Sequence, residues 1–492
     1  MRIHPADLGI LILYLAGVTL LGAWFRRGQK DVRDYFLGGK TAPAWALACS
    51  IVATETSTLT IIGTPAIAFG GNLGFLQLVI GYLVARVILC VVFVPRYFQG
   101  EFYTAYQLLE KRFGVRVKSA GAGVFLVTRA LAEGVRIAAV GKVVSVALGT
   151  GSRTAILIVT LLTLFYTFEG GMKAVIWTDV MQLAIYLTGS AVAFWLLLHK
   201  IPGGWSEVSQ VAAAAGGKLR VLDFSLSLTQ SYTFWSGVIG GTFLTMASHG
   251  TDQTLVQRVL AARNERDGKV ALLGSGVIVF IQFALFLVIG VMLFVFYRHA
   301  APGVVPSDHD QIFPTFIVTE MPPGIAGLVL AAILAVAMSN ASGSLNSLAS
   351  SSIMDFGAGA RGGVRQSAGE LLRRSRWMTL IWGIVLGSLG LVHWGPVLVA
   401  GLTITSITYG AMLGIFLLGM WNRRANATGA IVGMLFGLGT MLAVNRFTTL
   451  AWTWYVLVGT IVTFTAGSIA SVISGGDSTS EVGSVEGRGA TE

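Results

Sequence analysis

Charge is what this chain has least of. Asp, Glu, Lys and Arg make up 12% of its 492 residues, while hydrophobic residues make up 54% and the mean hydropathy is +0.75. Soluble domains carry about a quarter charged residues. A water-soluble globular fold is thereby excluded, and a polytopic membrane protein is indicated. Cysteine is also scarce. Cys49 and Cys90 each sit in an apolar run, which excludes a disulfide framework or thiolate metal centre and leaves them as small core residues. The six histidines form no HExxH motif and no close cluster. Gly170-Gly171 lacks the strand–loop–helix setting of a phosphate loop. No nucleophile–base or metal constellation is visible, so neither an enzyme nor an organic cofactor is expected. No A-x-A-like cleavage site follows the first apolar run, 8–25, which is expected to be a retained helix and not a cleaved signal peptide.

What the chain does have is apolar length and 62 glycines, which suit close helix packing. Runs of roughly 18 apolar residues or more can each cross a bilayer. They predict thirteen helices, at 8–25, 44–69, 75–98, 118–148, 153–168, 173–199, 232–257, 268–297, 324–355, 376–394, 397–420, 426–445 and 449–473. An odd number of spans puts the termini on opposite sides. One set of loops holds 23 Lys and Arg and the other 7, with Arg86, Arg129, Arg136 and Lys142 inside helices. Cytoplasmic loops carry the positive excess. The expected placement is therefore in the cytoplasmic (inner) membrane, with the N-terminus outside and the C-terminus cytoplasmic. The net charge of +11 then reflects topology, and no nucleic-acid partner is expected. The longest external loops are 201–231 and 298–323. The second, with Pro302, Pro306, Asp308 and Asp310, is expected to carry a short external helix or gate. Residues 1–473 form one transmembrane domain in this reading. The Gly/Ser/Glu-rich stretch 474–492 is expected to be disordered and is too short for a signalling domain.

One stretch breaks the apolar pattern. In 45–68, WALACSIVATETSTLTIIGTPAIA, six polar residues (Thr54, Glu55, Thr56, Ser57, Thr58 and Thr60) crowd the middle of a span, followed by Gly63-Thr64-Pro65. A broken helix survives at membrane depth only where it lines a cavity or is buried in protein. Its freed carbonyls and hydroxyls suit a desolvated cation and a polar solute; small-residue helix packing is the alternative. A second hydroxyl-rich stretch, 338–352 (MSNASGSLNSLASSS), argues for one shared site. Within it Ser339, Asn340, Ser342 and Gly343 offer neutral oxygens for a monovalent cation, and Ser339 and Ser342 share a helix face. A third polar centre, 245–253, opens a second group of five helices. Interrupted segments in corresponding places of two halves point to a site at a repeat interface, and five spans per half would make the repeats inverted.

Intramembrane charges are functional candidates by default. Asp179 lies six residues past Lys173, about 9 Å into its helix. It either serves a cation or proton or forms a salt bridge near the cytoplasmic surface. Arg129, Glu133 and Arg136 fall on one helix face. An internal ion pair explains most of that stripe, and the surplus positive charge leaves Arg136 available to a carboxylate or hydroxyl of a solute. Glu55 serves a cation or pairs with an arginine elsewhere, and Arg86 has no partner within its own helix.

Five pieces together resemble the sodium:solute symporter family: YFLGGKTAPAWALACSIVATETS (35–57), YTFEGGMKAVIWTDVMQ (166–182), HGTDQTLVQRVLAAR (249–263), AGLVLAAILAVAMSNASGSLNSLASSSIMDF (326–356) and GIFLLGMWNRRANATGAIVG (414–433). The resemblance implies an all-α, leucine-transporter-type fold. Residue 8–25 would be a peripheral first helix, 44–199 and 232–420 two inverted five-helix repeats, and 426–473 two further peripheral helices. It implies Na⁺ as coupling ion and import of a small solute by alternating access, with the lipid bilayer as surroundings and a monomer as the expected state. The main sodium site would be Ala53, Thr56, Val336, Ser339 and Asn340; the family usually has Ser or Thr where this chain has Asn340. A second sodium site would use Asp179, Ser339 and Ser342, but Gly343 lacks the hydroxyl that family members with that site place there. Solute contacts would come from Ser57, Thr60, Gln77, Tyr82, Arg136, Thr245 and Ser248. Val79 occupies a second-helix position used for sugar by the bacterial galactose carrier, which argues against a simple glucose reading. The solute classes implied are sugar, sialic acid, amino acid or monocarboxylate. Other readings are a proton-coupled carrier using Asp179 or Glu55, an uncoupled carrier of the same fold, a non-transporting sensor, and a membrane enzyme.

Overall fold

The computed structural model describes residues 3–26, 38–99, 105–166, 172–299, 305–354 and 368–475. Among the described residues there are helices, turns and loops but no strand. In chain order the helices are α1 Pro5–Arg26, α2 Ala44–Glu55, α3 Thr58–Gly70, α4 Leu76–Val92, α5 Val94–Phe98, α6 Tyr106–Phe113, α7 Val115–Leu148, α8 Ser152–Tyr166, α9 Met172–Lys200 and α10 Gly204–Ala214. They continue with α11 Phe234–Thr251, α12 Gln253–Leu260, α13 Glu265–His299, α14 Ile312–Glu320, α15 Ile325–Met354, α16 Ala368–Gly390, α17 Val397–Trp421, α18 Ala427–Phe447 and α19 Tyr455–Ile473. A helix lies over each apolar segment read from the sequence. Among the described residues six helices are long and apolar enough to cross a membrane, or up to eight if two bent pairs count as single spans. The chain is thus a polytopic membrane protein. Most of the stretch expected to be disordered, 476–492, lies outside the described residues.

The helices differ from the apolar runs where polar or cyclic residues intervene. α2 and α3 meet at a 66° bend, with Thr56 and Ser57 both extended (φ −83°, ψ 97° and φ −96°, ψ 175°). The reason is local. Three consecutive hydroxyl residues, Thr56, Ser57 and Thr58, span the turn, and Ser and Thr side chains compete with the helix for its own backbone groups. The 232–257 segment breaks likewise. α11 starts at a capping box between Thr233 and Ser236 and ends at Asp252, whose carboxylate accepts from Thr254 N to start α12. The 75–98 segment divides at Phe93, just before Pro95. The short α14 follows a 3₁₀ turn at His309–Gln311, so the loop read at 298–323 does carry a short helix.

Glycine sets the helix spacing around the broken span. A Cβ on Gly241 of α11 would stand 2.2 Å from Leu78 O of α4, and one on Gly81 would stand 2.4 Å from Val238 O. The two backbones touch there, as small-residue interfaces in membranes allow. On the other side, a Cβ on Gly290 of α13 would meet Pro65 O of α3 at 2.3 Å, and one on Gly63 would meet Leu398 Cβ of α17 at 2.5 Å. The two interrupted helices are therefore held in the centre of the bundle by α4, α13 and α17.

Candidate functional site

Between the two breaks lies a cavity of about 140 Å³. Ser57 and Thr60 reach it from α3 and its N-cap, Tyr82 from α4, Arg136 from α7, and Thr245 and Ser248 from α11. Phe75, Phe283, Leu398 and Leu402 give it apolar walls. Small-molecule sites have this character, an apolar enclosure with a few converging polar groups. A smaller cavity of about 30 Å³, room for about one water, shares Arg129, Arg136, Asp252 and Tyr409 with it. The Tyr409 hydroxyl donates to Asp252 Oδ2 at 2.9 Å, joining α17 to the second break.

Six of the seven expected solute contacts thus surround one space. Gln77 does not. Its amide is fully buried and committed to backbone, donating to Gly74 O (3.1 Å) and Tyr232 O (3.0 Å) and accepting from Asp223 N (2.9 Å). It fastens the 215–233 loop to the start of α4. The correction has a simple cause: an amide can satisfy backbone groups of a loop that sequence spacing does not bring near it.

The residues expected to hold Na⁺ lie on α2, its break and α15. Ala53 is buried in the last turn of α2, and Thr56 is the first non-helical residue. Only Val52 O is taken up by the break, accepting from Thr56 N at 2.8 Å. The carbonyls after it run out of helical partners. Such neutral oxygens suit a monovalent cation, so the residues present fit the ion. Thr56 Oγ1 accepts from Gln282 Nε2 at 2.7 Å, which fixes the break against α13. Val336 is buried on α15, and Asn340, one turn on, lines the cavity. Ser339 and Ser342 are in the same helix, but their side chains, like Gly343, lie outside the described residues.

The intramembrane charges are mostly paired. Asp179 is buried. It accepts from Ser50 Oγ at 2.6 Å and from Arg258 Nη2 at 3.1 Å, while Arg258 Nε donates to Ser50 Oγ at 3.1 Å and Nη1 to Thr254 O at 2.6 Å. Of the two readings left open for Asp179, the structure contains the salt bridge. Glu55 pairs with Arg86, 31 residues away. Glu133 Oε2 accepts from Arg136 Nη1 (3.0 Å) and Ser344 Oγ (2.9 Å), with Arg129 Nε 4.0 Å away. Arg136 is still not spent, because its buried Nε has no partner among the described residues.

Away from the cavity, Lys142 of α7 bridges Asp308 (2.8 Å) and Asp310 (2.6 Å), and Asp310 Oδ2 also accepts from Val397 N at 3.0 Å. Lys218 donates to Phe69 O (2.7 Å) and Gly71 O (2.9 Å), capping α3, with its ammonium 4.1 Å from the centre of the Phe294 ring. Burial holds that ammonium below the ordinary lysine pKa. Sequence reading left Arg86 unassigned and did not single out His249, Gln282, Arg258 or Tyr409. The scarcity of intramembrane charge was the usable signal for Arg86, since an isolated arginine in a span needs a carboxylate from another.

Three comparisons bear on this site. The model of the sodium:solute symporter family matches residues 35–437. The chain is 32% identical over 487 residues to the sodium/sialic acid symporter of Proteus mirabilis, covering 96% of each chain. It is 31% identical over 458 residues to the sodium/iodide cotransporter of Homo sapiens, covering 90% of this chain and 70% of that one. A solved structure of a Na⁺-coupled sialic acid symporter, in a substrate-bound outward-open state, matches with a TM-score of 0.83 at 30% identity over 96% of this chain and 98% of that one. A nucleobase-cation-symport-1 family transporter shares the fold alone, with a TM-score of 0.52 at 12% identity over 92% of this chain and 98% of that one.

Proposed function

Because this chain belongs to the sodium:solute symporter family and is a Na⁺-coupled transporter, not an enzyme, we propose that one Na⁺ binds at the break between α2 and α3 and drives uptake of a small carboxylated solute held in the adjoining cavity. The ion's partners are the backbone oxygens of Ala53, Thr56 and Val336 with the side-chain oxygens of Ser339 and Asn340. The solute's partners are Ser57, Thr60, Tyr82, Arg136, Thr245 and Ser248. The observation that carries this reading is that one interruption, Thr56-Ser57, borders both the last carbonyls of α2, which have no helical partner among the described residues, and the cavity.

The mechanism follows from where the break sits. Na⁺ drawn to the end of α2 also needs oxygens from α15, which packs against α3. Binding therefore holds α15 against the broken helix and orders Ser57 and Thr60, which face the solute. The unpartnered Nε of Arg136, with Arg129 in the same cavity wall, favours an anionic group on the solute. Inward movement of one Na⁺ supplies about 2.3 kcal/mol per 100 mV of membrane potential, and the low cytoplasmic sodium concentration favours release. Asp179 is held by Arg258 and Ser50, which supports a single sodium. The pairing of both Asp179 and Glu55 with arginine speaks against either as a proton carrier.

The full architecture belongs to the same reading. α2 to α9 form the first repeat and α11 to α17 the inverted second, with α1, α18 and α19 peripheral, thirteen spans in a cytoplasmic membrane, the N-terminus outside and a monomer sufficient. The two interrupted openers and the 23-to-7 charge split support it. The test is Ser339→Ala. The Na⁺ concentration for half-maximal uptake should rise far more than protein abundance falls. Unchanged Na⁺ dependence in a well-expressed variant would sink the site assignment.

A further inference from the structure

Arg86 is the bulkiest fully buried side chain among the described residues, and the bundle makes room for it. Its Cδ would lie 2.8 Å from a Cβ on Gly276 of α13, so only glycine fits there. The guanidinium reaches four helices. Nε donates to Ser275 Oγ of α13 (3.2 Å), Nη1 to Tyr82 O of its own α4 (3.2 Å), and Nη2 to Glu55 at the end of α2, with His249 Nε2 of α11 3.4 Å away. His249 Nε2 is also 3.5 Å from Glu55 Oε2, and its Nδ1 lies 2.9 Å from Ser248 Oγ on the cavity wall. Glu55 itself lines the cavity. It stands between Ala53 and the break, beside the oxygens assigned above to Na⁺.

We propose that Arg86 is a built-in counter-charge that sets the sodium affinity of the break, balancing Glu55 so that Na⁺ binds through neutral oxygens and can leave again. This rests on the sodium site at Thr56-Ser57 read above. A coupling ion must bind well enough to enter and weakly enough to depart. Glu55 alone, one residue from the break, would place an uncompensated negative charge beside the ion and trap it. Arg86 cancels that charge without entering the site, because its fork is fixed on Glu55, Tyr82 O and Ser275. The same link ends at Ser248, so the charge balance at the break is built into a wall of the solute cavity. Arg86 acts through Glu55 and is a positioning residue.

A unit charge left unbalanced near a monovalent cation in a protein-like dielectric changes its binding on the order of tenfold. The readout is thermal unfolding of the purified full-length protein against NaCl, with choline chloride keeping ionic strength constant; Na⁺ itself is the probe, and a ligand of the folded state raises the melting temperature by mass action. Glu55→Gln should raise the half-saturating Na⁺ concentration about tenfold and Arg86→Gln should lower it about tenfold. The double variant, neutral again, should return to within about threefold of wild type. Arg86→Lys, which keeps the charge, should stay near wild type. If Arg86→Gln does not fold, the return of the double variant toward wild type relative to Glu55→Gln carries the test. Single variants that fold and titrate with Na⁺ like wild type would overturn the proposal, leaving the cluster as packing. A double variant as weak as Glu55→Gln would also overturn it, making Glu55 a ligand in its own right. Wild type indifferent to Na⁺ would instead refute the sodium reading beneath it, and this proposal with it.

Discussion

Replacing Asp179 by Asn tests whether that carboxylate serves the bundle or an ion. In the structure it joins three helices, with Ser50 on α2, Arg258 on α12 and itself on α9. Asn keeps the shape and removes the charge. The lost charge-assisted hydrogen bonds are worth about 1.5–3 kcal/mol. Arg258 would be left buried with Thr254 O and Ser50 Oγ as its remaining partners. Breaking a fully buried pair costs about 3–5 kcal/mol. The side chains of this pair keep 7% and 10% exposure, which moderates the cost, so about 2–3 kcal/mol is expected. Removing both charges with Asp179→Asn and Arg258→Met should bring stability back to within about 1 kcal/mol of wild type. Arg258→Met alone strands the Asp179 carboxylate and should cost a similar amount, about 2–3 kcal/mol, so the coupling energy from the double-mutant cycle is then about 3–5 kcal/mol. Denaturant unfolding of the four proteins in one detergent supplies the numbers, and Na⁺ titration of the double variant supplies the functional arm. Its half-saturating Na⁺ should match wild type. A coupling energy below about 0.5 kcal/mol, or a double variant that has lost its Na⁺ response, would refute the reasoning and return Asp179 to the ion.

Further outcomes follow from other contacts. Gly241→Ala puts a methyl 2.2 Å from Leu78 O; expected is a loss of about 1–3 kcal/mol in denaturant unfolding, with wild-type stability as the contrary result. Arg136→Met should weaken binding of a carboxylated solute by at least tenfold, equivalent to about 1.4 kcal/mol, while leaving Na⁺-only stabilisation unchanged in thermal shift. Lys142→Met removes the bridge to Asp308 and Asp310 and frees the start of α17 from α7. A cysteine placed at Thr60 in that background should react faster with a membrane-impermeant thiol reagent from the N-terminal side, and unchanged labelling would show the bridge is no gate.

The break at Thr56-Ser57 was legible because six polar residues in the middle of an apolar span have few physical explanations. The second break at Asp252 was legible for the same reason. Polar residues on both openers, with Tyr82 and Arg136, then converged on one cavity. The short helices at Tyr106–Phe113 and Gly204–Ala214 were not read, because amphipathic surface helices leave no long apolar run. Nor were the partners of the charges. Glu55 and Arg86, Asp179 and Arg258, and Lys142 and Asp310 are joined across 31, 79 and 168 residues, and only helix packing brings them together. The partners of Gln77 were hidden in the same way: the loop that uses its amide arrives from residues 223 and 232.

The most direct measurement is a thermal-shift screen of the purified protein against sialic acids, monocarboxylates, amino acids and sugars. Each solute is tested in a Na⁺ buffer and in matched K⁺ and choline buffers. Shared use of the break predicts that a carboxylated solute raises the melting temperature with Na⁺ present and not without it, and that the solute in turn lowers the Na⁺ needed for half-saturation, since linkage is reciprocal. Equal stabilisation by that solute in all three buffers would contradict the account: the cavity would then bind solute without the ion, and the break at Thr56-Ser57 would not couple them.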